Sequence, residues 1–491
     1  MLITSFLKSF KQSINHSIIH PFTYSIYILH YKFYITKVLR TMRTTMPLLA
    51  LILQLLLFAT SCKQSTEPKL EAELKLELED VSCTEAWIKL TTTNLQLPAT
   101  INLLKDGNLS ETISLLSADT LLYVDSLLPN QTYKFQTISH SFIQPFNHSG
   151  LSAEGRHSSN ELTVTTMDTT SHNFTWQSWE FGQHSSSTLY DVAIIDENNI
   201  WAVGEIYMRD SLGRCDPNAY NAVHWNGSEW KLMRIKTYSS CDPVDYSSIL
   251  SVIAFDTNNI IFMTGGSIIK YNGITYTIDC TIRPLLTGRL NKLWGSSSND
   301  LYAVGNNGNI AHWDGVKWRK IESPTTLNIN DIWGDFNSKT DHWEVLAVCG
   351  NILHGWENER EILRINLSQS EKINSFGSKW PLSGLWFKTN KQYYVIGSGI
   401  YENKRLGQNW TGEPLDITTY FIRRIRANQT NDIIVVGDFG EVLHFNGYSW
   451  KSFISQTYLP GGTYLSVSVK DNFFTAVGYD SRKAVILIGR R

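Results

Sequence analysis

One cysteine, four histidines and a short series of tryptophans and arginines are the side chains whose spacing invites chemistry. Cys62 stands directly after Ala59-Thr-Ser61 at the end of an apolar run, a place where a thiol is presented for acylation. His224, His312, His354 and His444 have the composition of a metal set, yet they recur once per repeat, and three of them precede a Trp/Phe-Asp/Asn-Gly turn. Equivalent points of a repeating structure are spread around it, so these histidines read as hydrogen-bonding groups within each repeat. Cys215-Asp-Pro217 and Cys241-Asp-Pro243 share a tripeptide. That is as compatible with a disulfide between facing loops in an oxidising compartment as with two free thiols. No Cys/His pair has zinc spacing, and the G-x-S-x-G, H-E-x-x-H and P-loop patterns are missing. Asp438-Phe-Gly440 falls on a hairpin turn with no glycine-rich loop to accompany it. No catalytic residue, metal ligand or cofactor is assigned.

The elements that must position these groups follow from composition and repetition. The 491 residues include 43 Lys or Arg and 45 Asp or Glu, a formal net charge of −2. No overall charge therefore draws the chain to nucleic acid. With 42% apolar and 18% charged residues, it is not a disordered chain and can bury large cores. Of 16 tryptophans, Trp87 stands alone and the rest lie between Trp176 and Trp450. Such confinement points to a copied structural unit.

The N-terminal part reads as an address. Pro47 to Ala59 is an apolar run of 13 residues preceded by Arg40 and Arg43. It is shorter than the ~20 residues of a spanning helix and suits a signal-peptide core over 42–61. Ala59-Thr-Ser-Cys62 resembles the lipobox of bacterial lipoproteins, with Ala59 where leucine is usual. The resemblance implies that Cys62 receives diacylglycerol and becomes the new N-terminus. An ordinary secretory signal cut near Ser61 is the competing reading. Residues 1–41 precede both Met42 and Met46 and are either a start-site overcall or a leader. The implied location is the cell envelope: lipid-anchored in the outer membrane, in the periplasm or at the cell surface.

A polar linker, 62–74, leads into a strand-rich region, 75–167. Ala86-Trp-Ile-Lys-Leu-Thr91 and Ala99-Thr-Ile-Asn-Leu103 alternate apolar and polar residues, and Lys105-Asp-Gly107 supplies a hairpin turn. With Trp87 early and Tyr133 in Leu128-Pro-Asn-Gln-Thr-Tyr133, the region resembles a fibronectin type III domain. That resemblance implies a β-sandwich with Tyr133 at a tyrosine corner, used as a spacer or adhesive module.

From 172 to 491 the chain repeats. Leu293-Trp-Gly-Ser-Ser-Ser-Asn-Asp-Leu-Tyr-Ala-Val-Gly305 aligns with Ile425-Arg-Ala-Asn-Gln-Thr-Asn-Asp-Ile-Ile-Val-Val-Gly437, and each continues to a tryptophan 13 residues on. The glycine closing each such strand falls at Gly204, Gly265, Gly305, Gly350, Gly397, Gly437 and Gly478. A spacing of ~40–45 residues is that of four-stranded propeller blades. The last repeat stops after three strands, and the spare strand Phe174 to Phe181 is expected to complete it. The fold class expected is all-β: a fibronectin type III-like sandwich followed by a seven-bladed β-propeller. The pattern resembles the tryptophan-rich propeller repeats of secreted bacterial proteins, within the wider group of photosystem-assembly-factor-like and sialidase-type propellers. That resemblance speaks to architecture and not to activity.

The site expectation rests on first strands, which should line the channel. Eleven residues before the glycine stand Ala193, Ala254, Trp294, Trp386 and Arg426, with Trp333 at the matching place and Arg424 two residues from Arg426. Aromatic rings beside guanidinium groups suit a sugar, an aromatic ligand or a carboxylate-bearing peptide. The opposing reading is that these tryptophans pack between blades. The function expected is a monomeric binding module for a protein or glycan, anchored to the membrane through lipid. A propeller hydrolase acting on glycans through channel-mouth carboxylates is the alternative.

Overall fold

The computed structural model describes residues 71–141, 155–237, 246–353, 359–412 and 417–491. The leader 1–41, the signal 42–61 and Cys62 lie outside them, as do Cys241 and His354. Among the described residues no helix is long and apolar enough to cross a membrane.

The first domain is built from two antiparallel sheets. Glu73–Val81, Ala86–Thr93 and Asp119–Val124 form one, in that order. Asn108–Leu115, Ala99–Lys105, Thr132–Ser141 and Gly155–Ser158 form the other, with Leu162–Thr165 also paired to Thr132–Ser141. Alternation decides what is inside: Ile88 and Leu90 from one sheet meet Ile101, Leu103 and Phe135 from the other in one apolar core. Trp87, on the opposite face of its strand, is buried beside Tyr123. The Tyr133 hydroxyl accepts a hydrogen bond of 2.9 Å from the Leu128 backbone N–H and ties the corner before Thr132–Ser141.

Seven antiparallel sheets follow, each a meander of consecutive strands. The first runs Thr188–Asp196, Asn199–Ile206, Tyr220–Trp225 and Trp230–Met233. Its first strand packs against the first strands of the second sheet (Ser251–Asp256) and the seventh (Gly462–Lys470). The remaining first strands continue that succession until it closes on itself. In the seventh sheet Lys483–Arg490 pairs with Thr175–Phe181, from Ala484 opposite Phe181 to Arg490 opposite Thr175. The earliest strand of the ring is thus its last closing element, and it covers the edge that Lys483–Arg490 would otherwise leave open.

The repeated glycine has a steric cause. A Cβ at Gly204, Gly305 or Gly478 would lie 2.0, 2.1 or 1.9 Å from the carbonyl oxygen of Thr188, Arg289 or Thr463, each at or just before the start of the first strand of its own sheet. One sheet departs from the four-strand expectation. The fifth has three strands, Gly384–Lys388, Gln392–Gly397 and Gly399–Asn403, and where a fourth would run Thr411 makes a lone bridge to Glu402.

The small domain is docked on the ring. Glu79, Asp80 and Glu85 pair with Lys339, Lys391 and Lys404 from the fourth and fifth sheets. Cys83 Sγ donates to Asp168 O at 3.2 Å, and Thr170 N–H to Asn446 O at 3.2 Å. Gly447, in the Asn446-Gly447 hairpin at φ +92°, would carry a Cβ 2.4 Å from Cys83 Sγ and 2.6 Å from Asn431 Cβ. Gly447→Ala is therefore expected to cost more than ~1 kcal/mol of stability, from positive φ and from the contact with the small domain together. A double-mutant cycle with Cys83→Ala by urea unfolding should show coupling between the two positions. Strict additivity would mean the docking contact has no energetic weight.

Candidate functional site

The first strands that surround the central channel are not regular. Near their starts five of the seven carry a one-residue bulge, and the extra residues there are Tyr190, Asn291, Asn330, Arg423 and Leu465. A bulge turns a side chain away from the alternation of its strand. All five line one cavity of about 430 Å3 at the end where the first strands begin. Arg289, Lys292, Arg424, Asn306, Asn328 and Asn351 add polar and charged groups to a mouth that Leu250, Ile352 and Leu353 also line.

Two of the bulged amides pin neighbouring sheets together. Asn291 Nδ2 donates to Ile329 O at 3.1 Å, and Asn330 Nδ2 to Leu382 O at 2.8 Å, each acceptor at or just before the first strand of the next sheet. Ser383 Oγ repeats the contact to Ile422 O at 2.6 Å.

Beneath the mouth lies a buried ionic layer. Asp191 accepts from Lys292 Nζ at 2.6 Å, from Ser251 Oγ at 2.6 Å and from Ser466 Oγ at 2.7 Å. Asp331 forms an ion pair with Arg424 at 2.6 Å and accepts from Arg426 at 2.8 and 2.9 Å and from the Leu385 N–H at 3.1 Å. Burial by itself would raise the Asp191 carboxyl, but the Lys292 ammonium and the two hydroxyls prevail and hold it down at about 2. Asp331 is lowered in the same way, burial being outweighed by Arg424 and Arg426. Lys292 is pulled down to about 8, by burial first and also by the two guanidinium groups, against the attraction of Asp191.

Four of the five expected binding residues divide between the two ends of the channel, and the fifth, Trp386, lines neither cavity. Arg424 lines the mouth. Trp294, Trp333 and Arg426 line a smaller cavity, about 150 Å3, beyond the ionic layer, together with Ala193 and Ala254. The repeat position eleven before the glycine lines this lower cavity at Ala193, Ala254, Trp294 and Arg426, yet the rings are mostly consumed by packing. Trp294 is 6% exposed and Trp386 4%. Trp294 packs over Gly334, where a Cβ would meet its ring at 2.3 Å. Trp386 packs with Tyr394, Ile425 and Ile433 between sheets. Trp333 is half-buried under the Arg426 guanidinium, 5.0 Å from the ring centre.

The other expectations are placed as follows. His224, His312 and His444 each reach an Asn or Asp on the adjacent strand of their own sheet: Asn199 at 2.9 Å, Asp300 at 2.7 Å and Asp432 at 3.2 Å. Among the described residues no group of His, Cys, Asp and Glu could hold a metal. Of the two alternatives left open for Cys215, the structure has the free thiol, which is exposed; its loop carries the Arg209–Cys215 bridge and the Asp216–Arg234 ion pair. Cys280 is the disulfide-bonded cysteine among the described residues.

The bulge side chains escaped the sequence reading, although a trace of them exists. Tyr190, Asn291 and Arg423 all stand fourteen residues before their repeat glycine. Only knowledge of the bulge separates that position from an ordinary outward-facing one.

A second cavity, about 720 Å3, lies where the small domain overhangs the fifth and sixth sheets. Its walls include Glu85, Tyr123 and Asp125 from the small domain and Tyr394, Glu402 and Trp450 from the ring. It exists where the fifth sheet lacks an outer strand. Burial, then Glu402 and Glu85, push the Tyr394 hydroxyl far above its ordinary value.

A closed succession of antiparallel meanders around a channel defines a β-propeller, here preceded by a small two-sheet domain. No family model matches the chain, and no curated protein matches it. Solved structures similar to it include the WD40 β-propeller domain of Doa1, with TM-score 0.46 and 12% identity over 65% of this chain and 98% of that one. The RRP9 WD40 repeats (0.43, 12%, 64% and 97%) and the C-terminal WD40 domain of Sif2 (0.40, 11%, 63% and 97%) are similar to it as well.

Asp191 and Asp331 carry folded-state carboxyls below the ordinary ~3.9. The stability they confer is present above the ordinary carboxyl value and is lost as pH falls below it, for Asp191 towards about 2, as the native carboxyls take up protons. Asp331→Asn leaves two buried guanidinium groups facing a neutral amide and is expected to cost ~3–5 kcal/mol by urea unfolding at pH 7. It should also flatten the acid limb of the stability curve. An unchanged acid limb would show that the ionic layer does not govern acid unfolding. Trp386→Ala should cost ~3–5 kcal/mol as a core truncation; a loss of binding without loss of stability would return Trp386 to the site.

Proposed function

We propose that this chain is a lipid-anchored envelope protein whose propeller is a binding module working through the bulge-lined channel mouth. Seven sheets with mutually packed first strands support seven blades. The order of strands in the two sheets of the small domain, with the Tyr133 hydroxyl tied to Leu128 N–H, supports a fibronectin type III-like sandwich. Its docking on the fourth to sixth blades makes it a rigid support for the ring and not a loose spacer.

One observation carries the binding reading. Side chains from most of the blades converge on a single concave mouth, and several of its polar groups, Arg289, Asn328 and Asn351 among them, make no side-chain hydrogen bond among the described residues. Polar groups gathered in a cavity without a partner of their own are what a recognition site offers. A glycosidase at this mouth would need two carboxyl groups ~5–10 Å apart and free to exchange protons. Asp191, the one carboxylate among the described lining residues, is committed to Lys292, Ser251 and Ser466.

Lipid anchoring is tested by Cys62→Ser, which should release the protein into the soluble fraction and abolish incorporation of labelled fatty acid. Membrane attachment equal to that of the unaltered chain would overturn it. The binding reading is tested by glycan-array and pull-down capture with the full chain. Asn351→Ala with Leu353→Ala, both at the mouth, should reduce capture at unchanged melting temperature.

A further inference from the structure

We propose that the channel mouth holds an oxyanion, the carboxylate or phosphate group of a ligand, seated between Arg424 and Arg289. This deepens the binding reading and rests on it.

Three observations converge. First, Arg424 lines the mouth with its Nη1 committed to Asp331 and to Asn330 O, while its Nε–H is buried with no hydrogen-bond partner. A buried guanidinium N–H left unpaired is destabilising, and here it belongs to a residue that faces an open cavity. Second, Arg289 stands exposed at the rim and has no ion-pair partner among the described residues. The other rim arginine, Arg423, is neutralised by Asp438 through contacts of 2.7 and 3.1 Å. Third, the charge around the mouth is unbalanced. Arg289, Lys292, Arg423, Arg424 and Arg426 face Asp191, Asp331, Asp438 and Glu205, and Glu205 is already engaged by the Tyr190 and Ser248 hydroxyls at 2.8 and 2.7 Å. One positive charge is left over around the mouth.

The neighbouring amides fix the type of anion. Asn328 and Asn351 line the cavity and their side-chain amides can each supply two N–H donors, so an anion with several oxygens is served better than a halide. Guanidinium groups match the planar pair of oxygens of a carboxylate or phosphate. Lys292, held below its ordinary value at the floor of the mouth, would be returned towards it by an anion seated above. Binding should therefore be coupled to proton uptake near pH 8.

The test is isothermal titration of the full chain with inorganic phosphate, tricarballylate, hexagalacturonate and, as the uncharged control, cellohexaose. At least one anion should bind saturably, with affinity falling about tenfold or more in Arg289→Ala and with added salt. Binding heats at pH 8 should differ between buffers of different ionisation enthalpy, a signature of proton uptake. Arg289 is exposed, so its variant should keep the melting temperature, and Arg424→Lys gives a second reading if it folds. A preference among phosphate, tricarboxylate and polyuronate separates the sources of the oxyanion. Binding of cellohexaose, lost in Asn351→Ala, with no anion bound would overturn the oxyanion and leave the binding module standing. Anion binding unchanged in Arg289→Ala would overturn the proposed seat. Absence of any binding, with array and pull-down capture indifferent to mouth variants, would overturn both.

Discussion

Two buried carboxylates hold the ring together. Asp191, in the first sheet, is reached by Ser251 of the second, Lys292 of the third and Ser466 of the seventh. Asp331, in the fourth, is reached by the Leu385 N–H of the fifth and by Arg424 and Arg426 of the sixth. Every sheet therefore contributes a donor or an acceptor to one of two centres. Ion pairs at such depth are costly to desolvate, and apolar residues of equal volume often stabilise a protein as much or more. What an apolar layer lacks is direction. The donors around Asp191 come from sheets up to 275 residues apart in sequence, and hydrogen-bond geometry admits few ways to bring them together. A ring made of near-identical units needs that discrimination, because apolar seams between similar sheets distinguish poorly between one neighbour and another.

What could be read in the sequence was whatever the repeat made local. The glycine of each repeat, the Asp/Asn-Gly turns and the tryptophan of the outer strand mark strand ends within some forty residues, and each has a local cause. Gly305 is required because its own sheet's bulge brings Arg289 O to 2.1 Å of where a Cβ would stand. Closure by Thr175–Phe181 was legible for the same reason, as a spare strand matched a missing one. The site was legible only in part. Position eleven before the glycine lines the lower cavity at Ala193, Ala254, Trp294 and Arg426, but lining a narrow channel does not leave an indole accessible: Trp294, like Trp386, fills the space between sheets. Five of the residues that do line the mouth sit on bulges. A bulge reverses the alternation on which sequence reading depends, so Asn291 and Arg423 look like outward-facing polar positions until the register is known. The docking of the small domain was equally hidden, since Glu79–Lys339 and Cys83–Asn446 join residues hundreds of positions apart.

The near-zero net charge deserves a narrower meaning than composition suggests. It excludes bulk attraction to a polyanion, but it is an average over surfaces of opposite sign. The channel mouth carries an excess of arginine and lysine, while the cavity under the small domain gathers Glu85, Asp125 and Glu402 around a single Lys404. Each sign is produced by a different structural device, bulged first strands in one case and an absent outer strand in the other. The tryptophan-rich repeat explains neither, because both are departures from it. In a fold assembled by copying one unit, the copied features carry stability, and recognition falls to the residues by which the copies differ. Here those are the first-strand positions that read Asp191, Ser251, Lys292, Asp331, Gly384, Arg424 and Ser466 around the ring, where no two neighbours share a side chain. Their asymmetry is what closes the ring in one order only. The same asymmetry places Lys292 and Arg424 on the floor of the mouth, so the constraint that assembles the propeller also sets the charge its ligand must meet.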